Sequence, residues 1–342
     1  MIPNCQFIND VIVFGTSKKG MYVSKGFLIE TPDKSGSSEA SREELRLKLT
    51  RMLSMILRDG FDIQIKRSFD SDYSQILSDY RKGSGGGNRW SDLVRGNVAR
   101  VYDSAIENNF LRREYMQIYV GCWYRPSDRK IKGDKIETYL GTLESLFKSV
   151  YFVLKMAFDD GKVVAMKERD YFERYFKMWN KGFRTNFHRD IGPGAYVPEM
   201  TMQDNCMLGD FLEPKNGVAG LEIDGYYHGF LSFARWPDHT LPLMAKRLTD
   251  MSINDFDITF SIYATDIEKE KMQGKSVLKS LRNSEDIEEQ EMAAALDEKM
   301  RSMTRGSIVP VYGVYLVTIW SRDLEDLKIQ MDAAKTNIMA LD

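Results

Sequence analysis

The chain has 342 residues, 48 basic and 50 acidic side chains and a formal net charge of −2 at pH 7, so no global field draws it to nucleic acid or to an anionic membrane. Its three cysteines, Cys5, Cys122 and Cys206, are odd in number and far apart, which excludes a disulfide framework and fits a reducing, cytoplasmic compartment. No run reaches the roughly 18 apolar residues of a membrane span, no signal peptide opens the chain, and the length is that of two ordinary domains.

Residues 11–14 and 21–29 predict a hairpin turning around Ser17-Lys18-Lys19-Gly20. Ser41-Arg42-Glu43-Glu44 is a capping box, in which serine and glutamate satisfy each other's orphan amides. The helix it starts carries Leu45, Leu49, Met52, Leu53 and Ile56 on one face and ends at Gly60. A strand follows at 61–65, then helices over 72–109 interrupted by the glycine run at Gly83 to Gly87, then a strand at 115–124 closed by Arg125-Pro126. Ile136, Leu140, Leu143, Phe147, Val150 and Leu154 mark the next amphipathic helix. Residues 159–218 read as an insert, helical and aromatic at first, then rich in glycine and proline.

Beyond the insert, Asp224-Gly225 predicts a second hairpin. Its second strand runs through Gly229-Phe230-Leu231-Ser232-Phe233-Ala234-Arg235-Trp236 and stops at Pro237, which cannot donate to a ladder. A short helix with Met244, Leu248 and Met251 on one face leads to a strand at 256–263. A charged helical region spans 266–305 with a break near Asn283-Ser284, and a strand spans 308–320. Leu324, Leu327, Met331, Ala334 and Ile338 lie on the face of a final helix. That helix runs towards Asp342 with no glycine or proline stop, which predicts an amino-terminal part of something longer.

Three segments echo one another in order. Gly26-Phe27-Leu28 recurs as Gly229-Phe230-Leu231, and Phe61-Asp62-Ile63 as Phe256-Asp257-Ile258. Val120-Gly121-Cys122-Trp123-Tyr124-Arg125 recurs as Val317-Thr318-Ile319-Trp320-Ser321-Arg322. Collinear echoes in the same local context predict an α+β protein made of two tandem copies of a hairpin-α-β-α-β-α module. The copies are 1–158 and 219–342, with mixed sheets packed by helices and residues 159–218 inserted between them.

Few residues point to chemistry. The glycine run at Gly83 to Gly87 follows a helix and lacks the Gly-Lys-Ser/Thr ending of a phosphate loop; Gly274-Lys275-Ser276 has that ending but Lys269 where the first glycine belongs. His188, His228 and His239 have no partner at ligand spacing, so neither a metal nor a cofactor is expected. Cys206 with His188 has the residue types of a nucleophile and base, and Asp204 with Asp210 those of an acid pair, but no third group orients either set. Asp62 and Asp257, at strand ends, are the carboxylates that a palm-like nucleotide-processing enzyme would use.

One stretch of the insert stands out. Tyr171, Tyr175 and Trp179 share a helical face, interleaved with Arg174, Lys177, Lys181 and Arg184. One reading docks the rings on the core with basic stems over the rim. The other makes them an anchor for a partner or membrane surface, or a stacking platform for single-stranded nucleic acid.

The run Tyr227-His228-Gly229-Phe230-Leu231-Ser232-Phe233-Ala234-Arg235-Trp236-Pro237, the strand at 256–263, the charged helices after it and the strand at 311–320 resemble the amino-terminal region of the CagE/TrbE/VirB family of type IV secretion and conjugative transfer ATPases. Residues 119–126, with their Arg-Pro ending, are similar to an earlier strand of that region. The resemblance implies a cytoplasmic assembly domain, peripheral to the inner membrane, that contacts membrane components of the machine and neighbouring ATPase subunits. It also implies a following ATPase domain with Walker motifs. The family's catalytic residues have no positions in this chain, and no nucleotide hydrolysis is expected of it.

Overall fold

The structure is a computed structural model. It describes residues 5–8, 10–16, 20–30, 38–70, 73–82, 88–107, 113–124, 134–159, 161–181, 205–206, 211–212, 220–223, 225–233, 253, 255–282, 286–305 and 308–339. The first half runs β1 (Cys5–Ile8), β2 (Val11–Thr16), β3 (Gly20–Glu30), α1 (Glu39–Arg58), β4 (Asp62–Asp70), α2 (Ser74–Lys82), α3 (Arg89–Glu107), β5 (Arg113–Tyr124) and α4 (Asp134–Ala157). The insert supplies β6 (Lys162–Ala165), α5 (Glu168–Trp179) and β7 (Phe211–Leu212). The second half runs β8 (Gly220–Ile223), β9 (Tyr226–Ser232), β10 (Phe256–Ala264), α6 (Ile267–Leu281), α7 (Ile287–Arg305), β11 (Val311–Ser321) and α8 (Leu324–Met339).

The elements stand near their expected places, with instructive shifts. α1 starts earlier than the capping box: the Ser38 hydroxyl accepts from the Ser41 amide, so Ser38 is the cap. The β8–β9 turn passes Gly225 at φ 71°, the left-handed conformation a two-residue hairpin needs. The glycine run, Arg125-Pro126, Asn283-Ser284, Pro237 and the short helix expected from Met244 to Met251 lie outside the described residues.

In place of a mixed sheet in each half, the described residues form one sheet of eleven strands that carries the α+β fold, in the order β1-β2-β3-β5-β4-β10-β11-β9-β8-β7 with β6 off this path. Every pairing among the described residues is antiparallel. β6 shares the outer edge of β3 with β2, pairing with residues 27–30 where β2 pairs with 20–24. The two halves join edge to edge, β4 against β10, which removes two long exposed edges that would otherwise invite association.

From that joint outward the order is β5, β3, β2 on one side and β11, β9, β8 on the other. Asp62 lies opposite Gly121 and Asp257 opposite Thr318, so two of the sequence echoes meet matching partners. The third does not. Gly26 faces Tyr119 whereas Gly229 faces Ile319, so these segments are three residues apart in register. An odd displacement reverses the face of a strand: Phe27 enters the core and Phe230 points to the opposite side.

One face of the sheet carries the core. Val23, Phe27, Ile63, Ile118, Val120 and Ile262 meet Met52 and Ile56 of α1 and Leu143, Phe147, Val150 and Leu154 of α4. Across the joint, Phe256, Ile258, Val317 and Ile319 meet Leu327 and Ala334 of α8. Phe69 of β4 joins this second cluster, stacking on Phe256 across the joint at 4.5 Å, and Phe260 touches both clusters. α2 packs on α3 and α6 on α7 as two helical hairpins, bridged by Arg81–Asp103 and by Arg282–Asp297 at 3.4 Å.

Candidate functional site

The opposite face of the sheet receives α5. Tyr171 is fully buried (0% exposed), and Phe172 and Phe176 join it in a cluster with Ile12 of β2, Met166 and Cys206. The Tyr171 hydroxyl accepts from the Gly26 amide at 2.6 Å. Gly26 makes this approach possible, since a Cβ there would stand 2.6 Å from Met166 Sδ and 2.8 Å from the Tyr171 ring. Burial, with nearby acidic groups, holds the Tyr171 phenol well above its ordinary pKa. Asn180, just past the helix, donates from Nδ2 to the carbonyls of Phe176 at 2.9 Å and Cys206 at 2.5 Å.

Between the end of α5 and the sheet lies a cavity of about 370 Å³. Lys66 of β4, Asp257 of β10, Thr318 and Trp320 of β11 and His228 and Phe230 of β9 project into it, since all lie on the face of their strands turned away from α1, α4 and α8. Lys66 Nζ is 2.9 Å from Asp257 Oδ2. Burial alone would raise the Asp257 carboxyl, but Lys66 and Lys181 together hold it below the usual range. Lys181 Nζ lies 3.3 Å from the centroid of the Trp320 ring. Burial pulls the Lys181 pKa down to about 8, against the raising pull of Asp257. Burial, assisted by the Lys181 cation, takes His228 down to about 4, so its imidazole is neutral at physiological pH. Its Nε2 is buried with no hydrogen-bond partner among the described residues.

The residues singled out in the insert therefore divide. Tyr171 belongs to the core rather than to a partner surface, because its ring and hydroxyl are used in seating α5. Arg174 lies over the Tyr115 ring at 4.6 Å, with Arg113 over the same ring at 4.9 Å. Tyr175 and Trp179 line the cavity and also touch the α5 cluster. Lys177, half exposed, reaches Glu173 at 3.8 Å. Lys181 forms the cavity wall, and Arg184 lies outside the described residues.

Other expectations fare as geometry dictates. Asp62 accepts from the Ala264 amide at 3.0 Å, whereas Asp257 stands opposite Ser68. Six residues of strand, about 20 Å, separate those positions, so the two carboxylates cannot share a metal as a palm-like site requires. Cys206 is buried, its Sγ 3.9 Å from the Phe172 carbonyl oxygen; His188, Asp204 and Asp210 lie outside the described residues. Lys275 and Ser276 sit within helix α6. The described residues include no group of three His, Cys, Asp or Glu placed to hold a metal.

Sequence reasoning missed the Lys66–Asp257 pair, Trp320 and His228 as one site. The available signal was strand parity: Lys66 and Asp257 interrupt apolar strands on the face that the first helices do not cover. No family model matches the chain, and no curated protein matches it.

Proposed function

We propose that the chain is a non-catalytic assembly and docking domain of a type IV secretion or conjugation motor ATPase, contacting inner-membrane components and neighbouring subunits from the cytoplasmic side. Its frame, in this reading, is two tandem copies of one module, 1–158 and 219–342, around the insert at 159–218. The resemblance of residues 227–237, 256–263 and 311–320 supports the family. The strand order repeated outward from the β4–β10 joint, with Asp62–Gly121 matched by Asp257–Thr318, supports the duplication. No helix among the described residues is long and apolar enough to cross a membrane, and a docking domain needs none.

The observation that carries the docking role is the pair of helical hairpins. α2–α3 joins β4 to β5, and α6–α7 joins β10 to β11, so the hairpins occupy matching places in the two halves. Both turn apolar side chains to solvent: Trp90 (76% exposed), Val94 and Val101 on α3, and Ile287 (74% exposed) and Met292 on α7. Trp90, Val94 and Val101 fall on one helical stripe, and an exposed apolar patch of this kind marks an interaction surface. These residues, rather than the buried Tyr171, carry the contact. Purified residues 1–342 are expected to turn over no ATP.

Substitution tests the assignment. Trp90→Glu with Val94→Glu in the intact chain should leave the melting transition nearly unmoved, within about 0.5 kcal/mol as for exposed positions. The same change should weaken co-purification with inner-membrane components of the machine. Undiminished co-purification from the doubly substituted chain would overturn the assignment of α3.

A further inference from the structure

We infer that the cavity under α5 is a binding site for a monocarboxylate carried on an apolar or aromatic body. The carboxylate is held between Lys181 Nζ and His228 Nε2, and the body lies against Trp320 and Trp179. The inference stands on the cavity alone and is independent of the docking role.

Three observations lead to it. His228 is 3% exposed, yet its Nε2 has no partner among the described residues. Buried polar atoms are rarely left unmet, and those that are commonly await a ligand or water. The second observation is charge. Lys66 is closed by Asp257 at 2.9 Å, while Lys181 meets no carboxylate within 4.0 Å among the described residues and rests on the face of Trp320. One ammonium is thus incompletely answered, and a carboxylate beside it would accept from Lys181 and from an Nε2–H of His228 together. The third is shape. About 370 Å³ between aromatic walls suits a small organic ligand, and Trp179, Trp320 and Phe230 supply flat apolar surface.

The charges also choose between anions. The groups facing Lys181 are Lys66 and Asp70 from β4, Asp255 and Asp257 at β10, and the neutral His228 from β9; Arg113 of β5 and Arg174 and Lys177 of α5 line the same cavity. Across the cavity five cations, Lys66, Arg113, Arg174, Lys177 and Lys181, stand against three aspartates, which favours an anion. Beside Lys181 a phosphate dianion would bring its second charge towards Asp70, Asp255 and Asp257, so that end of the cavity favours a single charge. The site therefore prefers carboxylate. Its protonation follows: Lys181, held at about 8, rises when an anion arrives, so binding near pH 8 takes up a proton and weakens as pH climbs above about 8.

The carboxylate could belong to a free small molecule or to the end of a peptide chain, and matched probes separate the two. Ligand-observed NMR on purified residues 1–342 would use indole-3-acetate against indole-3-acetamide, and phenyl phosphate as the dianion. A tripeptide ending in tryptophan would be offered as free acid and as amide. The acids should bind about tenfold or more tighter than their amides, with phenyl phosphate weaker than indole-3-acetate. Lys181→Met should erase the acid preference, Lys181→Arg should keep it, and His228→Phe should weaken the acids with less effect on the amides. Tighter binding of the tripeptide acid than of indole-3-acetate assigns the source to a chain end; the reverse order assigns it to a small molecule. Equal binding of acids and amides, preference for phenyl phosphate, an acid preference that survives Lys181→Met, or no binding by any probe at millimolar concentration would each overturn the inference.

Discussion

At the scale of single residues, the cavity floor couples burial to protonation. His228 has a folded pKa of about 4 against an ordinary 6.5, so below about pH 6.5 the unfolded chain takes up a proton that the folded chain refuses. Its contribution is complete above that pH and is lost as pH falls towards 4, by up to about 3 kcal/mol. Chemical denaturation from pH 7 to 4 should therefore show a steeper loss for the natural chain than for His228→Phe; parallel curves would mean that the imidazole is not buried neutral. Lys181 works in the other direction. Its folded pKa of about 8 lies below the ordinary 10.5, so folding is disfavoured by its charge below about pH 8 and gains as pH rises towards 10.5. Lys181→Met should accordingly be the more stable protein at pH 7, with the gap closing at alkaline pH. No property of the sequence near Lys181 announces this, because the ring it rests on, Trp320, is remote in the chain and reaches it only through β11.

At the scale of elements, α5 shows what patterning can and cannot tell. The four-residue steps of Tyr171, Tyr175 and Trp179 were enough to place the helix and its aromatic face. They could not say what the face would meet, since the receiving surface is made by Gly26 of β3 and Ile12 of β2. A missing side chain at position 26 is invisible as a contact until the strands are assembled. Gly26→Ala should cost about 1–3 kcal/mol through overpacking against Met166 and Tyr171. Tyr171→Phe should cost a similar about 1–3 kcal/mol by removing the acceptor of the Gly26 amide. Thermal melts of the two variants check both values, and unchanged melting of Gly26→Ala would mean that α5 is not seated there. Helix α1 was legible almost residue by residue, although Ser38 and Ser41 compete as caps and only geometry decides between them. β6 went unseen because Lys162-Val163-Val164-Ala165 is too short for alternation to register.

At the scale of the whole molecule, the strands were largely legible and their assembly into a single sheet was not. The alternation of Ile63 and Ile65 marks β4 as a strand with an apolar face, but nothing in it marks β10 as its neighbour. Edge pairing is a tertiary choice that leaves no local trace in composition. Its consequence is cooperativity: with β4 and β10 joined and Phe69 stacked on Phe256 at 4.5 Å, the halves should unfold in one transition. Phe69→Ala should lower the stability of that transition by about 3–5 kcal/mol, and two resolved transitions in calorimetry of the natural chain would contradict a continuous sheet. The proposed role rests on the hairpins that leave this sheet, and a photo-crosslinking amino acid placed singly at positions 90, 287 and 171 of the intact chain in its native cells addresses it most directly. Probes replacing Trp90 and Ile287 should crosslink to inner-membrane components or neighbouring subunits, and the probe replacing the buried Tyr171 to none. Crosslinks from position 171 alone, or none from positions 90 and 287, would contradict docking through the hairpins.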